Sequence, residues 1–290
     1  MPTDTRNPAR PSTPRAAHLL LPPPRLAGCI ALAVVRDTRD LVLSDQDRLN
    51  FFPASPLVTL TCVLKGQLHV AHDLCDLETL RAVSPMQAVF ALPPQSAPLV
   101  SWSPGSVVAL TIGIFPDAWS LLGGAFEPFK QPACIDHAKS VIADAPTSEA
   151  GWQGFCDVVD AKWSEVQESR QGPMWAGGNL LADWVRQLTL RSALSGPGRS
   201  IRALERRMRR MSGQSRQTLE FFARLDHLHG LTVRTPDASA AQIAYDGGYS
   251  EQSHMGRSVK RATGFSPVQL NKCIELEEAF WCYRLLGERY

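Results

Sequence analysis

Seven arginines fall between Arg199 and Arg216, and five of them lie in the fourteen residues 200–213. At about 100° per residue, Ile201, Leu204, Met208 and Met211 share one helical stripe. Arg202, Arg206 and Arg209 cluster on the side roughly opposite, with Arg210 beside them. Ser200 is a good N-cap and Gly213 a good C-terminal stop, so the segment predicts a helix with one face for a core and one for an anion. Like charges at i,i+3 and i,i+4 repel along such a face until a polyanion neutralises them. A phosphate backbone does so, and release of its condensed counterions supplies much of the affinity.

A second unit at residues 240–261 reads as helix, tight turn, helix. Ala244 is small where two helices would cross closely, and Gly248 can take the left-handed conformation that ends the first helix. Tyr249 fills the angle between them. Ser250 caps a following helix that buries Met255 and Val259 and exposes Ser253, Arg257 and Lys260. An amphipathic helix presented in this way fits a major groove about 12 Å wide. His254 sits at the edge of the buried face with no second ligand at i+4, and its expected role is structural.

Together these units resemble the DNA-binding domain of AraC/XylS-family transcription regulators, two helix-turn-helix units joined by a long helix. The matching residues are Ser200, Arg202, Leu204, Arg206, Gly213 and Ser215 in the first unit. In the second they are Ile243-Ala244, Gly248-Tyr249, Ser253-His254-Met255, Arg257, Lys260-Arg261 and the closing Gly264-Phe265-Ser266-Pro267. The resemblance covers about residues 200–270. By position it implies base-reading roles for Arg202, Glu205 and Arg206 in unit one and for Gln252, Ser253, Gly256 and Arg257 in unit two. Arg can grip guanine O6 and N7, Gln adenine N6 and N7, and Glu accepts from cytosine N4. Pairing of Glu205 with Arg202 or Arg209 is the competing reading at that position. Arg209, Arg210, Lys260 and Arg261 suit phosphate contacts, which hold register without reading sequence. Two departures stand out. Residues 194–199, with Gly196, Pro197 and Gly198, make a longer loop than is usual before the first recognition helix, and Met208 replaces the usual aromatic. An additional helix with Leu270, Ile274, Phe280, Trp281 and Leu285 continues past the usual family end, for packing or self-association.

The charge of the chain is organised around these units. The 290 residues carry a net +2, which divides into −3 for residues 1–198, +6 for 199–270 and −1 for 271–290. A basic block in an otherwise mildly acidic chain points to a module that meets an anion. The longest apolar run, residues 26–35, is about half what a membrane span requires. Leu26-Ala27-Gly28-Cys29 looks like a lipoprotein cleavage box, but Pro22, Pro23, Pro24 and Arg25 stand where a signal peptide needs apolar residues. Seven scattered cysteines, none in C-x-x-C, read as small buried hydrophobes or free thiols in a reducing compartment, and a cytoplasmic location is expected. No hydrolase, zincin or phosphate-loop motif occurs. No catalytic residue, metal site or cofactor is therefore expected, and the chain reads as a non-enzyme. Asp37, Asp40, Asp45 and Asp47 lack EF-hand spacing and read as turns.

The rest of the chain must position the reader. Residues 1–24, with seven prolines, read as a disordered tail. Apolar runs at 29–35, 57–64, 67–71, 88–92 and 107–115, separated by turn residues, predict an antiparallel sandwich or small barrel. The period changes to 3.6 where Trp152, Phe155, Val159 and Trp163 share one face and Leu181, Trp184, Val185 and Leu188 another, with Gln171-Gly172-Pro173 between the two helices. The expected fold is α+β: an N-terminal antiparallel β-barrel or sandwich, then an all-α domain with two helix-turn-helix units. Boundaries fall at 1–24 for the tail, 25–145 for a β-rich sensor, 146–195 for connecting and dimerisation helices and 196–290 for the DNA-binding domain. The helix at Trp152 serves either a dimer or interdomain contact or the core. Trp102, Trp119 and Phe51-Phe52-Pro53 line an apolar pocket or fill the core, and His69 and His72 make no cupin metal cluster.

The resemblance implies a cupin-like sensor for a small effector, double-stranded DNA as partner, a homodimer, and RNA polymerase as a partner if the protein activates. The expected function is sequence-specific transcription regulation. Two other readings are a cupin-type barrel enzyme with an accessory DNA-binding tail and an interaction module whose basic helix binds an acidic protein.

Overall fold

The apolar runs become strands of two facing antiparallel sheets in the computed structural model, which describes residues 16–72, 74–127, 129–169, 181–196 and 200–289. The larger sheet has the order β1-β2-β8-β4-β6, from Ala17–Leu20, Ile30–Asp37, Val108–Ile114, Val58–Lys65 and Val89–Leu92. The smaller has the order β3-β7-β5, from Leu49–Phe52, Leu99–Trp102 and His69–His72. A ribbon of β9 (Ala125–Phe126) and β10 (Phe129–Lys130) follows. The strands form a sandwich and do not close into a barrel. Strand β1 occupies part of the expected disordered tail, where it pairs with β2 from Ala17 opposite Arg36 to Leu20 opposite Ala33. The first fifteen tail residues, the Gln171-Gly172-Pro173 joint and Pro197-Gly198-Arg199 lie outside the described residues. Strands β3 and β7 and helices α1 (Leu77–Ala82), α2 (Pro116–Leu121) and α3 (Ala133–Ala143) go beyond the sequence pattern. Four residues of strand or six of helix show too little period to be read locally.

Strand β2 is buried on both faces, which explains its nearly continuous apolar character. Ala31, Ala33 and Val35 share a core with Ile135 and Ile142 of α3 and with Trp152, Phe155, Val159 and Trp163 of α4 (Ser148–Glu168). Its aromatic stripe is thus taken up by the chain's own sheet and is not an open dimer face. Leu32 and Val34, on the other face of β2, share a cluster with Trp281, Cys282 and Leu285 of the last helix.

The helical half comprises α5 (Leu181–Leu194), α6 (Ile201–Ser212), α7 (Arg216–Arg234), α8 (Ala240–Asp246), α9 (Gln252–Thr263), α10 (Pro267–Leu276) and α11 (Trp281–Gly287). Its cores run into the β half across residue 195. Trp184, Leu188, Met208 and Leu219 belong to the cluster that holds Phe115 and Trp119, and Ile243, Tyr249, Met255 and Val259 to one that holds Leu80, Val100 and Trp102. Between α2 and α5, the buried Asp117 accepts from Trp184 Nε1 at 2.8 Å and pairs with Arg191. Trp102 and Trp119 are therefore core, whereas Phe52 lines the space between the sheets. The additional C-terminal helix serves packing: Phe280 and Trp281 turn back onto the sandwich.

All seven cysteines are free thiols, four of them buried. Burial pushes Cys62, Cys156 and Cys282 up to about 12, so these behave as small hydrophobes. No helix among the described residues is long and apolar enough to cross a membrane.

Candidate nucleic-acid interface

Ser200 begins α6 by accepting from the Ala203 amide, and Gly213 ends it in the left-handed conformation. The buried face is Ala203, Arg207, Met208 and Ser212, one position round from the expected stripe, and Ile201 is exposed. The shift arises because Arg207 turns inward and donates from Nε to the Ser192 carbonyl at 2.5 Å, tying α6 to the end of α5. Met208 fills the core where an aromatic was usual. Arg202, Glu205, Arg206, Arg209 and Arg210 are all exposed. None of them enters an ion pair among the described residues, so Glu205 does not neutralise its neighbours, and four cations stand on one open helical face.

In the second unit, α8 buries Ile243 and Ala244, Gly248 takes φ +71 in the turn, and Tyr249 fills the angle. The N-cap of α9 is Glu251 and not Ser250, and its side chain makes no capping bond. Its carboxylate accepts instead from Ser253 Oγ and lies 3.6 Å from Arg257 Nη2. Ser250 Oγ and the His254 ring meet at 3.4 Å, and that ring stands edge-on to Tyr249 with centroids 5.3 Å apart, a structural placement. Gln252, Ser253, Arg257, Lys260 and Arg261 are exposed and Gly256 half-buried. Arg261 lies over the Phe221 ring at 4.4 Å, which steadies it beside α7.

Both cationic helices end on the β half. Gly213 and Gly264 close α6 and α9 with positive φ, and a Cβ on either would press into Phe126 or Leu74 respectively. Gln214 Nε2 donates to the Pro56 carbonyl at 2.9 Å, and the Ala54 amide to the Ala262 carbonyl at 2.8 Å. Helix α7 spans about 28 Å at 1.5 Å per residue and joins α6 to the second unit.

Residues 197–272 match the family described as a helix-turn-helix domain. They form an AraC-type helix-turn-helix domain. Such a domain binds DNA. Over 76–82% of its length the chain is similar at low identity to crystal structures of ToxT from Vibrio cholerae. One, an apo variant, is 12% identical over 82% of this chain and 95% of that one, with a TM-score of 0.37. Another, bound to an unsaturated fatty acid, is 13% identical over 76% and 93%, with a TM-score of 0.35. Comparison with curated proteins gives no match.

Within the AraC-type domain, two residues that matter were not singled out by sequence. Glu251 holds both Ser253 and Arg257, and its only sequence signal was a carboxylate next to two candidate base readers. Arg207 fell outside the cationic cluster by helical phase, but nothing in its run showed that packing against the end of α5 would bury it. Part of the loop before α6 lies outside the described residues; the two helices it joins are tied through Arg207 and Ser192.

Proposed function

We propose that the protein is a sequence-specific transcription regulator that inserts α6 and α9 into successive segments of one major groove and whose β sandwich responds to a small effector. The observation that carries this reading is the open cationic face of α6, four arginines unpaired among the described residues, presented by an AraC-type domain. Arg202, Glu205, Arg206, Gln252, Ser253, Gly256 and Arg257 face base edges in it, and Arg209, Arg210, Lys260 and Arg261 hold phosphates. The effector acts by population shift: it favours one seating of the recognition helices on the sandwich and so changes the fraction competent for DNA. The protein is a cytoplasmic non-enzyme in this reading, working as a homodimer and, where it activates, with RNA polymerase.

Titration of the purified protein with promoter fragments and with random duplex at several salt concentrations tests it. Specific fragments should bind more tightly than random ones, with log affinity falling linearly in log salt. Salt-independent binding, or none, overturns the reading.

A further inference from the structure

Arg36 sits on the face of β2 that looks toward the smaller sheet and is 5% exposed. Its Nη1 donates to Glu278 Oε1 at 2.9 Å, and its guanidinium carbon lies 4.9 Å from the centroid of the Trp281 indole. Nε and Nη2 are buried with no hydrogen-bond partner among the described residues. Those two N–H groups form one forked edge of the guanidinium, the geometry that receives both oxygens of a carboxylate. Glu278 does not balance the local charge, because its Oε2 also accepts from Arg284 Nη2 at 2.8 Å. Two guanidinium groups thus share one carboxylate, a surplus of one positive charge, with Arg36 buried and Glu278 and Arg284 partly exposed.

Arg36 lines a cavity of about 30 Å³ with Val34, Asn50, Phe52, Thr111 and Trp281. That is room for little more than a water molecule. The body of an organic acid fits there only where the indole of Trp281 now stands, anchored by its Nε1–H donating to Asn50 Oδ1 at 2.6 Å.

We propose that the Nε/Nη2 edge of Arg36 binds the carboxylate of a small monocarboxylic acid with an apolar body, which enters between the two sheets and displaces Trp281. The proposal rests on the effector reading above and names its ligand class and its route. Phe280, next in the chain, stacks on Phe51 with centroids 4.8 Å apart and meets Phe265 at 5.2 Å. Phe265 directly follows Gly264, which closes the second recognition helix. Unseating Trp281 therefore loosens the contacts that fix the end of α9.

Calorimetric titration of the full chain with benzoate and hexanoate, against benzamide, hexanamide and inorganic phosphate, tests the site. The acids should bind at least tenfold more tightly than the amides or phosphate, and Arg36→Gln should abolish the difference. Trp281→Ala, which keeps Arg36 and removes the competing occupant, should tighten the acids several-fold and keep them at least tenfold ahead of the amides. Equal binding of acids and amides, preference for phosphate, or no acid binding to either the wild type or Trp281→Ala overturns the proposal. Promoter affinity with and without benzoate separates the two readings. Acid bound through Arg36 with DNA affinity unchanged removes the effector role and leaves the site standing. A DNA response to the amides alone supports the effector role and overturns the site.

Discussion

Arg257 has two competing partners, the Glu251 carboxylate in the free protein and a base edge in the proposed complex. The pair is exposed and loose at 3.6 Å, so the interaction is weak and is given up readily when DNA arrives. Arg257→Ala should cost about 1–3 kcal/mol in specific binding and relax selectivity at one base position. Lys260→Ala should weaken all sequences alike and reduce the salt slope by about one. Competition binding with a base-substituted operator series distinguishes the two patterns. Glu251→Gln removes a negative charge from the N-terminal end of α9 and frees Arg257. It should raise affinity for random duplex and steepen its salt dependence; unchanged random binding would show that Glu251 does not restrain Arg257. At this scale the sequence told which arginines belong to recognition helices, since exposure follows from helical phase. It did not tell that Arg207 is turned inward, because that depends on the end of α5 approaching from elsewhere in the chain.

Among the elements, the two recognition helices owe their placement to how they end. Gly264 has φ +83, and an added Cβ would meet Leu74 Cδ1 at 2.3 Å. Gly264→Ala should therefore destabilise the protein by about 1–2 kcal/mol from the left-handed backbone alone. The movement forced on Leu74 adds to this and should also reduce specific DNA affinity by reseating α9. Chemical denaturation and fragment binding on the same variant measure both; stability lost with affinity intact would mean that the seat does not orient the helix. The longer elements, β2, β4, β8, α4 and α5, were legible because each repeats its period several times. The short β3 and β7 were not, since each acquires its pairing only from a neighbour far away in sequence.

For the whole molecule, the shared cores imply that the β sandwich and both helix-turn-helix units unfold together. Circular dichroism and tryptophan fluorescence should give coincident thermal transitions; separate transitions would mean that the cores across residue 195 contribute little. Trp281→Ala should lower that single midpoint, as loss of a buried aromatic typically costs about 3–5 kcal/mol. By itself the sequence determined the function class and its helices, because capping residues, helical phase and the spacing of glycines and arginines are local properties written within a few turns of chain. Only the tertiary structure decided that the C-terminal helix returns to cover the sandwich and that the Trp152 stripe is core. It alone also brought Arg36, Glu278 and Trp281 together around one cavity. Those outcomes join residues more than a hundred positions apart, and no local period carries information about which distant surface a hydrophobic face will find.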